Sequence, residues 1–357
     1  MSRGDTPFRP RRVLVIGASY GLLPAIKIAA ADHAVTVVGH PSEVALIAQH
    51  GASLDFGEGR VLRPPLGDTA LSFTTPGAVD PSGYEIAFLA IQEPQARSPE
   101  IASLLKRIGG VMPIASLMNM PPPPFLDRIP SLPPAIRAGV YGAAEVWAAL
   151  PAERMTLASP DPQVFRPDPA RPGDLRVTLA SNFKFAPFAR PEDQEILAQI
   201  ARDASRVEAV WGRVPVHLLA KGSIFAPLAK WPMLITGNCR CLRPDGSAMS
   251  IHDAIGSHPE ESRRIYDALS KALLAIGASP AALVPFDAYH RAAGQLVRPS
   301  SLARALASGA REVERYDLLA LGLLRETGAA PEMIEALRRI SATISERLDQ
   351  NRAALQP

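Results

Sequence analysis

Between residues 12 and 120 short β-branched runs alternate with segments of helical length, and this alternation restricts the fold more than any other feature of the chain. A strand is expected at 13–16, ending at Gly17, then a helix from about 22 to 31 and a second strand at 35–38, the spacing of a βαβ unit. The pattern continues with a helix at 42–49, a strand near 53–56, an irregular stretch to Gly83, a strand at 85–91, a helix at 99–108 and a strand at 111–116. Strands joined through helices run parallel, and a parallel sheet needs helices on both faces to bury its side chains. A Rossmann-like domain follows from this pattern.

Beyond it prolines crowd residues 121–134, four of them consecutive from Pro121 to Pro124, so neither a helix nor a central strand continues there. Further strands are expected at 139–141, 155–157 and 176–179, the last two divided by a second proline-rich loop at 160–172. After Glu192 apolar residues recur at three- and four-residue spacing through 196–200, 265–274, 302–307, 316–324 and 333–344, with 207–211 as a lone strand signal. The fold class is α/β: a Rossmann-like domain over residues 1–188, then an all-helical domain over 189–357.

Composition excludes several functions. Lysine and arginine exceed aspartate and glutamate by 38 − 35 = 3, with both signs interspersed, so no nucleic-acid-binding arm is present. Arg9, Arg11 and Arg12 precede an apolar run that imitates an export signal, but Gly17 and Lys27 interrupt it, and no stretch reaches the roughly 18 apolar residues of a membrane span. A soluble, cytoplasmic protein without a membrane partner is expected. The two cysteines, Cys239 and Cys241, stand too close to pair and lack a second ligand pair for zinc. The nearest cluster, His252, Asp253 and His258, lacks metal-ligand spacing, so no metal is expected.

The chemistry enters at Gly17-Ala18-Ser19-Tyr20-Gly21-Leu22, between the first strand and the first helix. There a dinucleotide's pyrophosphate meets free backbone N–H groups and the positive end of the helix dipole. Against G-x-G-x-x-G the first place is Gly17, but Ser19 and Leu22 fill the second and third and Gly21 comes one residue early. Leu22 should hold the helix away from the strand. The second strand ends in Gly39-His40-Pro41-Ser42, with no acid to grip a ribose 2′-hydroxyl, so NADP is favoured over NAD, with His40 and Ser42 as contacts.

The segment Arg298-Pro299-Ser300-Ser301-Leu302 to Arg311-Glu312-Val313-Glu314, followed by the 318–324 helix and Thr327-Gly328-Ala329-Ala330-Pro331, resembles the closing part of the ketopantoate reductases (2-dehydropantoate 2-reductases), with Ser300 and Glu312 at that family's separation. Ala90-Ile91-Gln92-Glu93-Pro94-Gln95 resembles its V-K-A-x-Q strand end, with Gln92 in place of lysine, and Leu117-Met118-Asn119-Met120 resembles its Q-N-G. The resemblance implies a divergent member, with a C-terminal domain of the 6-phosphogluconate-dehydrogenase type. Gly17, Ser19, Tyr20, Gly21, His40, Gln92 and Gln95 would then contact the cofactor; Ser300, Asn119 and Asn238 the substrate; and Glu312 would be the active-site carboxylate. The family's catalytic lysine begins a helix that carries two asparagines at four-residue steps. Two frames compete for it: Lys221, preferred for its distance from the preceding strand signal, with Phe225 where the first asparagine belongs, and Lys230, with Leu234 and Asn238 at the two places and Pro232 disturbing the helix.

What the resemblance implies is an NADP-dependent reductase of a small 2-oxo acid or related carbonyl, its lysine protonating the developing alkoxide. Changed groups at His40, Gln92 and Met120 point away from ketopantoate itself. An opine-type dehydrogenase, acting by reductive amination, and a catalytically silent ligand-binding protein of the same fold are the alternatives. A homodimer or an internal core would each account for the apolar helix at 316–324.

Overall fold

The computed structural model describes residues 8–160, 164–177 and 179–354. Thr178 and residues 161–163, which fall in the expected strand 176–179 and loop 160–172, lie outside the described residues. The chain divides into two compact units, a sheet unit of residues 1–91, 98–118 and 149–220 and a helical unit of residues 92–97, 119–148 and 221–357.

The sheet unit is built on six parallel strands. β1 (Arg12–Ile16) and β2 (Ala34–Val38) pair in register from Arg12 opposite Ala34 to Ile16 opposite Val38. The strand Leu71–Thr74 extends the sheet beyond β2, and Ile86–Leu89, Ile114–Ser116 and Met155–Leu157 follow on the other side of β1. By rank in the chain the order is 3-2-1-4-5-6, so it reverses between β1 and Ile86–Leu89, the arrangement of a dinucleotide-binding sheet. Ile86–Leu89 is buried throughout, as a central strand covered on both faces must be. Leu71–Thr74 falls in the stretch read as irregular. It is an edge strand with only Leu71 buried, so it carries no apolar run.

Two of the helices that pack this sheet share one apolar core with each other. α1 (Leu22–Ala29) is buried at every position, Lys27 included, whose Nζ donates to Glu208 Oε1 at 3.0 Å and to the Val216 carbonyl. The 21-residue helix Pro191–Trp211 lies between the parallel strands Ser181–Phe185 and Val216–Ala220 and places Leu197, Ile200, Ala204 and Val207 in the same apolar core as α1. The residues 207–211 are therefore helical rather than a strand, since Ile200, Ala204 and Val207 share one helix face. For the same reason the chain past residue 188, where a domain boundary was expected, continues as part of the sheet unit up to Ala220. A smaller sheet joins Val61–Leu62, Ser53–Asp55, Asp174–Val177 and Val164–Phe165.

The helical unit contains Pro259–Ala275, Phe286–Ala293, Ser301–Ala307, Tyr316–Glu326 and Pro331–Ala353. Tyr266, Phe286 and Tyr289 form the aromatic centre of one of its cores, with Ile251 and Ile255 beside them. The expected strand 139–141 is a turn, because Gly139 adopts φ 69°, outside the β region, after the 3-10 turn Pro134–Arg137. Prolines 123 and 124 open a four-residue helix, where no N–H is required of them. Among the described residues no helix is long and apolar enough to cross a membrane.

The turn after β1 is the tightest point of the sheet unit. Gly17 adopts φ 112°, and a Cβ there would lie 2.1 Å from the Ala90 carbonyl oxygen at the end of the fourth strand. Gly17→Ala should therefore cost about 2–5 kcal/mol, from backbone strain together with overpacking, read as a lowered midpoint in urea denaturation.

Candidate functional site

The glycine turn is shaped by contact with its neighbours. The Gly17 N–H donates to the Val38 carbonyl at 2.8 Å, tying the end of β1 to that of β2. Gly21 stands at the N-terminal boundary of α1, and a Cβ on it would lie 2.3 Å from the Gly17 carbonyl oxygen, 2.5 Å from Ala90 Cβ and 3.0 Å from Val15 Cγ1. The close approach of helix to strand is thus made at Gly21. Leu22, expected to hold the helix away, is buried in the core instead. Ser19 is exposed at the turn. The Tyr20 hydroxyl reaches the carbonyl oxygens of Ile91 and Leu117, each at 3.0 Å, beyond the carboxyl ends of the fourth and fifth strands.

At the end of β2, exposed His40 precedes α2 (Pro41–His50), and its Nδ1 lies 2.8 Å from Ser42 Oγ. Glu43, in the first turn of α2, folds back towards the strand: its Oε2 lies 3.6 Å from the place a Cβ on Gly39 would occupy, and its Oε1 pairs with Arg166 Nη2 at 2.6 Å. The same Arg166 nitrogen donates to the Ala18 carbonyl at 3.0 Å. One guanidinium therefore joins the turn after β1 to the first turn of α2. These residues fit a dinucleotide: the glycines let the start of α1 pack closely on the strand ends, and the turn lies at the point where strand order reverses.

In the helical unit a carboxyl-rich cluster centres on residues 92–97. The Gln92 N–H donates to Gln95 Oε1 at 2.8 Å and the Gln95 N–H to the Gln92 carbonyl at 2.9 Å, closing a turn. Glu93 is 3% exposed and accepts from the Gly142 N–H at 3.1 Å and from Arg97 Nη2 at 3.4 Å. Arg97 Nη1 pairs with Glu312 Oε1 at 2.8 Å. Glu314 is buried, with the backbone N–H groups of Met120, Asn119 and Glu93 directed to its carboxyl and Oε1 without a partner among the described residues. Desolvation, reinforced by the charge of Glu93, raises its pKa from 4.5 to about 8, so this carboxyl is largely protonated at neutral pH.

No protein-family model matches the chain, and no curated protein matches it by sequence. Solved structures do. D-mandelate dehydrogenase, in its ternary structure with NADH and anilino(oxo)acetate, is similar over 96% of this chain and 99% of its own, with TM-score 0.66 and 11% identity. A ketopantoate reductase of the PanE/ApbA family from Ralstonia eutropha JMP134 is similar over 96% and 99%, with TM-score 0.65 and 16% identity. The 2-dehydropantoate 2-reductase of Methylococcus capsulatus is similar over 94% and 97%, with TM-score 0.64 and 16% identity. The chain has the ketopantoate-reductase fold.

On this ketopantoate-reductase fold the expected site residues take distinct places. Lys221 is exposed in the irregular segment after Val216–Ala220 and begins no helix. Lys230 is half-buried and closes the 3-10 turn Leu228–Lys230, which passes directly into Trp231–Met233 and the π-helical Leu234–Asn238. Pro232 occupies the first turn of Trp231–Met233, and around it the run is irregular, passing from 3-10 to α to π geometry. Asn238 is 2% exposed and its Nδ2 has no partner among the described residues, while its carbonyl accepts from Ser300 Oγ at 2.8 Å. Ser300, itself buried, also caps the helix Ser301–Ala307 by accepting the Ala303 N–H at 3.1 Å. Glu312 is 51% exposed on the connection between Ser301–Ala307 and Tyr316–Glu326, so its partner is Arg97, distant in sequence, and not a neighbour on a helix. Asn119 is half-buried beside Glu314, and Gln95 spends its amide oxygen on its own turn.

Glu43, Glu93, Arg97, Arg166 and Glu314 were not singled out from sequence. Glu314 had a local signal, two residues after Glu312, and Glu93 and Arg97 stand four residues apart, a spacing at which charges pair on a helix; Glu43 and Arg166 meet across a separation that the sequence does not pair.

Glu314 gives a pH signature. Its native carboxyl keeps its proton up to about pH 8 while the unfolded chain loses it near 4.5, so its stabilising contribution is complete below pH 4.5 and is lost as pH rises to 8. Denaturation between pH 4 and 8 should show wild type losing on the order of 4 kcal/mol through this window, and Glu314→Gln should remove most of that slope.

Proposed function

We propose that this chain is a nicotinamide-dinucleotide-dependent oxidoreductase that reduces a small 2-oxo acid or related carbonyl. The observation that carries the reading is the strand-order reversal beside β1 with a glycine turn at its carboxyl end, the place where open α/β sheets bind dinucleotides. Proteins of the same fold support the substrate class, since one carries NADH with anilino(oxo)acetate and others are 2-dehydropantoate 2-reductases.

Ser19 and Gly21 would receive the pyrophosphate on backbone N–H groups at the start of α1, with Gly17, whose own N–H is held by the Val38 carbonyl, shaping the turn. The Tyr20 ring would border the nicotinamide half, and Gln92 and Gln95 would complete the cofactor contacts. When bound, the dihydronicotinamide supplies the hydride. Lys230 is assigned the proton delivered to the carbonyl oxygen: it is partly desolvated and heads a helical run, whereas Lys221 is exposed on an irregular segment. Ser300 acts by fixing the Asn238 carbonyl, which positions a buried amide able to donate to a substrate oxygen. Glu312, oriented by Arg97, accepts from a substrate hydroxyl, and Asn119 lies beside the substrate.

One observation favours a second reading, reductive amination. Two carboxylates, on Glu93 and Glu312, share the guanidinium of Arg97 beside the protonated Glu314, a balance that suits a cationic amine better than an additional carboxylate.

Fluorescence titration with NADH and NADPH tests the reading, and no binding of either at millimolar concentration would reject it. Oxidation of the reduced cofactor should then appear across a panel of 2-oxo acids with and without amines. Lys230→Met should lower kcat by about a hundredfold or more, while Lys221→Met stays within about twofold; the opposite result would transfer the proton to Lys221.

A further inference from the structure

We propose that Glu43, held by Arg166, reads the adenosine ribose of the cofactor and selects the form without a 2′-phosphate. This rests on the dinucleotide reading above and names its cofactor. The residues that end β2 carry no acid, which on sequence favours a phosphorylated ribose. The fold supplies an acid from the next helical turn: Glu43 Oε2 lies 3.6 Å from the Cβ position of Gly39, and glycine there lets Ala18 and Val44 pack at 2.8 and 3.0 Å from that position, which holds the turn after β1 and the first turn of α2 against the strand end. In dinucleotide folds this end of the second strand is where a carboxylate accepts the ribose 2′-hydroxyl.

The second half of the argument is charge. Glu43 Oε1 is bound at 2.6 Å to Arg166 Nη2, the same nitrogen that donates to the Ala18 carbonyl on the phosphate-binding turn. Arg166 thus sets the orientation of the carboxylate and leaves Oε2 facing the strand end. A 2′-phosphate brought there meets a carboxylate beside it and a guanidinium already neutralised by that carboxylate. His40, at the end of the same strand, is exposed and hydrogen-bonded to Ser42. A ribose hydroxyl needs only the acceptor. The arrangement also defines what would reverse the preference, because removing the Glu43 charge frees the Arg166 guanidinium to pair with a phosphate.

Binding, measured by fluorescence or calorimetric titration of the full-length protein with NADH and NADPH, tests the assignment without reliance on turnover. Wild type should bind NADH at least tenfold more tightly than NADPH. Glu43→Gln should weaken NADH, strengthen NADPH and move their ratio by tenfold or more, and Arg166→Ala added to it should abolish the gain for NADPH. Glu43 is on a surface helix, and thermal denaturation checks that each variant is folded. Equal or tighter NADPH binding by wild type overturns the assignment with no variant needed, as does an unchanged ratio in folded Glu43→Gln. In both of those cases the dinucleotide reading stands, whereas failure of wild type to bind either nucleotide removes both.

Discussion

The sheet unit depends on how closely its first turn packs against the fourth strand. At Gly17 and Gly21 the backbone comes so near to Ala90 that no side chain has room, and Gly17 takes a dihedral that side-chain-bearing residues rarely adopt. This contact sets the start of α1 over the place where the strand order reverses. The exposed Ser19 lies on that turn, and the Arg166 bridge is tied to it through the Ala18 carbonyl. A different spacing of glycines therefore reaches the packing that a G-x-G-x-x-G sequence provides, with Gly21 rather than residue 22 at the contact.

The helical unit follows another constraint, the cost of burying carboxyl groups. Glu93 meets it with a backbone N–H and a guanidinium, Asp317 with the guanidinium of Arg315, and Glu314 with backbone donors and a retained proton. Arg97 joins Glu93 to Glu312, so the segment 92–97 and the connection before Tyr316–Glu326 are held together by charge pairing. A buried carboxyl that keeps its proton near neutrality can donate a hydrogen bond, a property common at catalytic centres.

Much of the architecture was legible from the order of apolar runs. The helix Pro99–Ile108 and the strand Met155–Leu157 lie where the periodicity placed them, and β1, β2 and α2 agree within a residue or two. Leu71–Thr74 was not legible because an edge strand shows only one buried side chain, and the 181–185 and 216–220 pair was hidden because its partners are separated by a long helix. Of the expected site residues, the turn glycines lie at the close contact between α1 and the strand ends. Ser300 and Glu312, singled out by spacing, are engaged otherwise than the sequence could tell, Ser300 with Asn238 and a helix cap, and Glu312 with an arginine distant in the chain.

The sequence by itself determined the class of sheet, because short apolar strands at helical intervals can be buried only as a parallel layer between helices. It also determined where a phosphate-binding turn could form, since that turn is local in the chain. Tertiary structure alone decided which charges meet. Arg166 is 148 residues from Ala18 and Arg97 is 215 from Glu312. An ion pair depends on distance in space, while periodicity reports only which face of an element is buried.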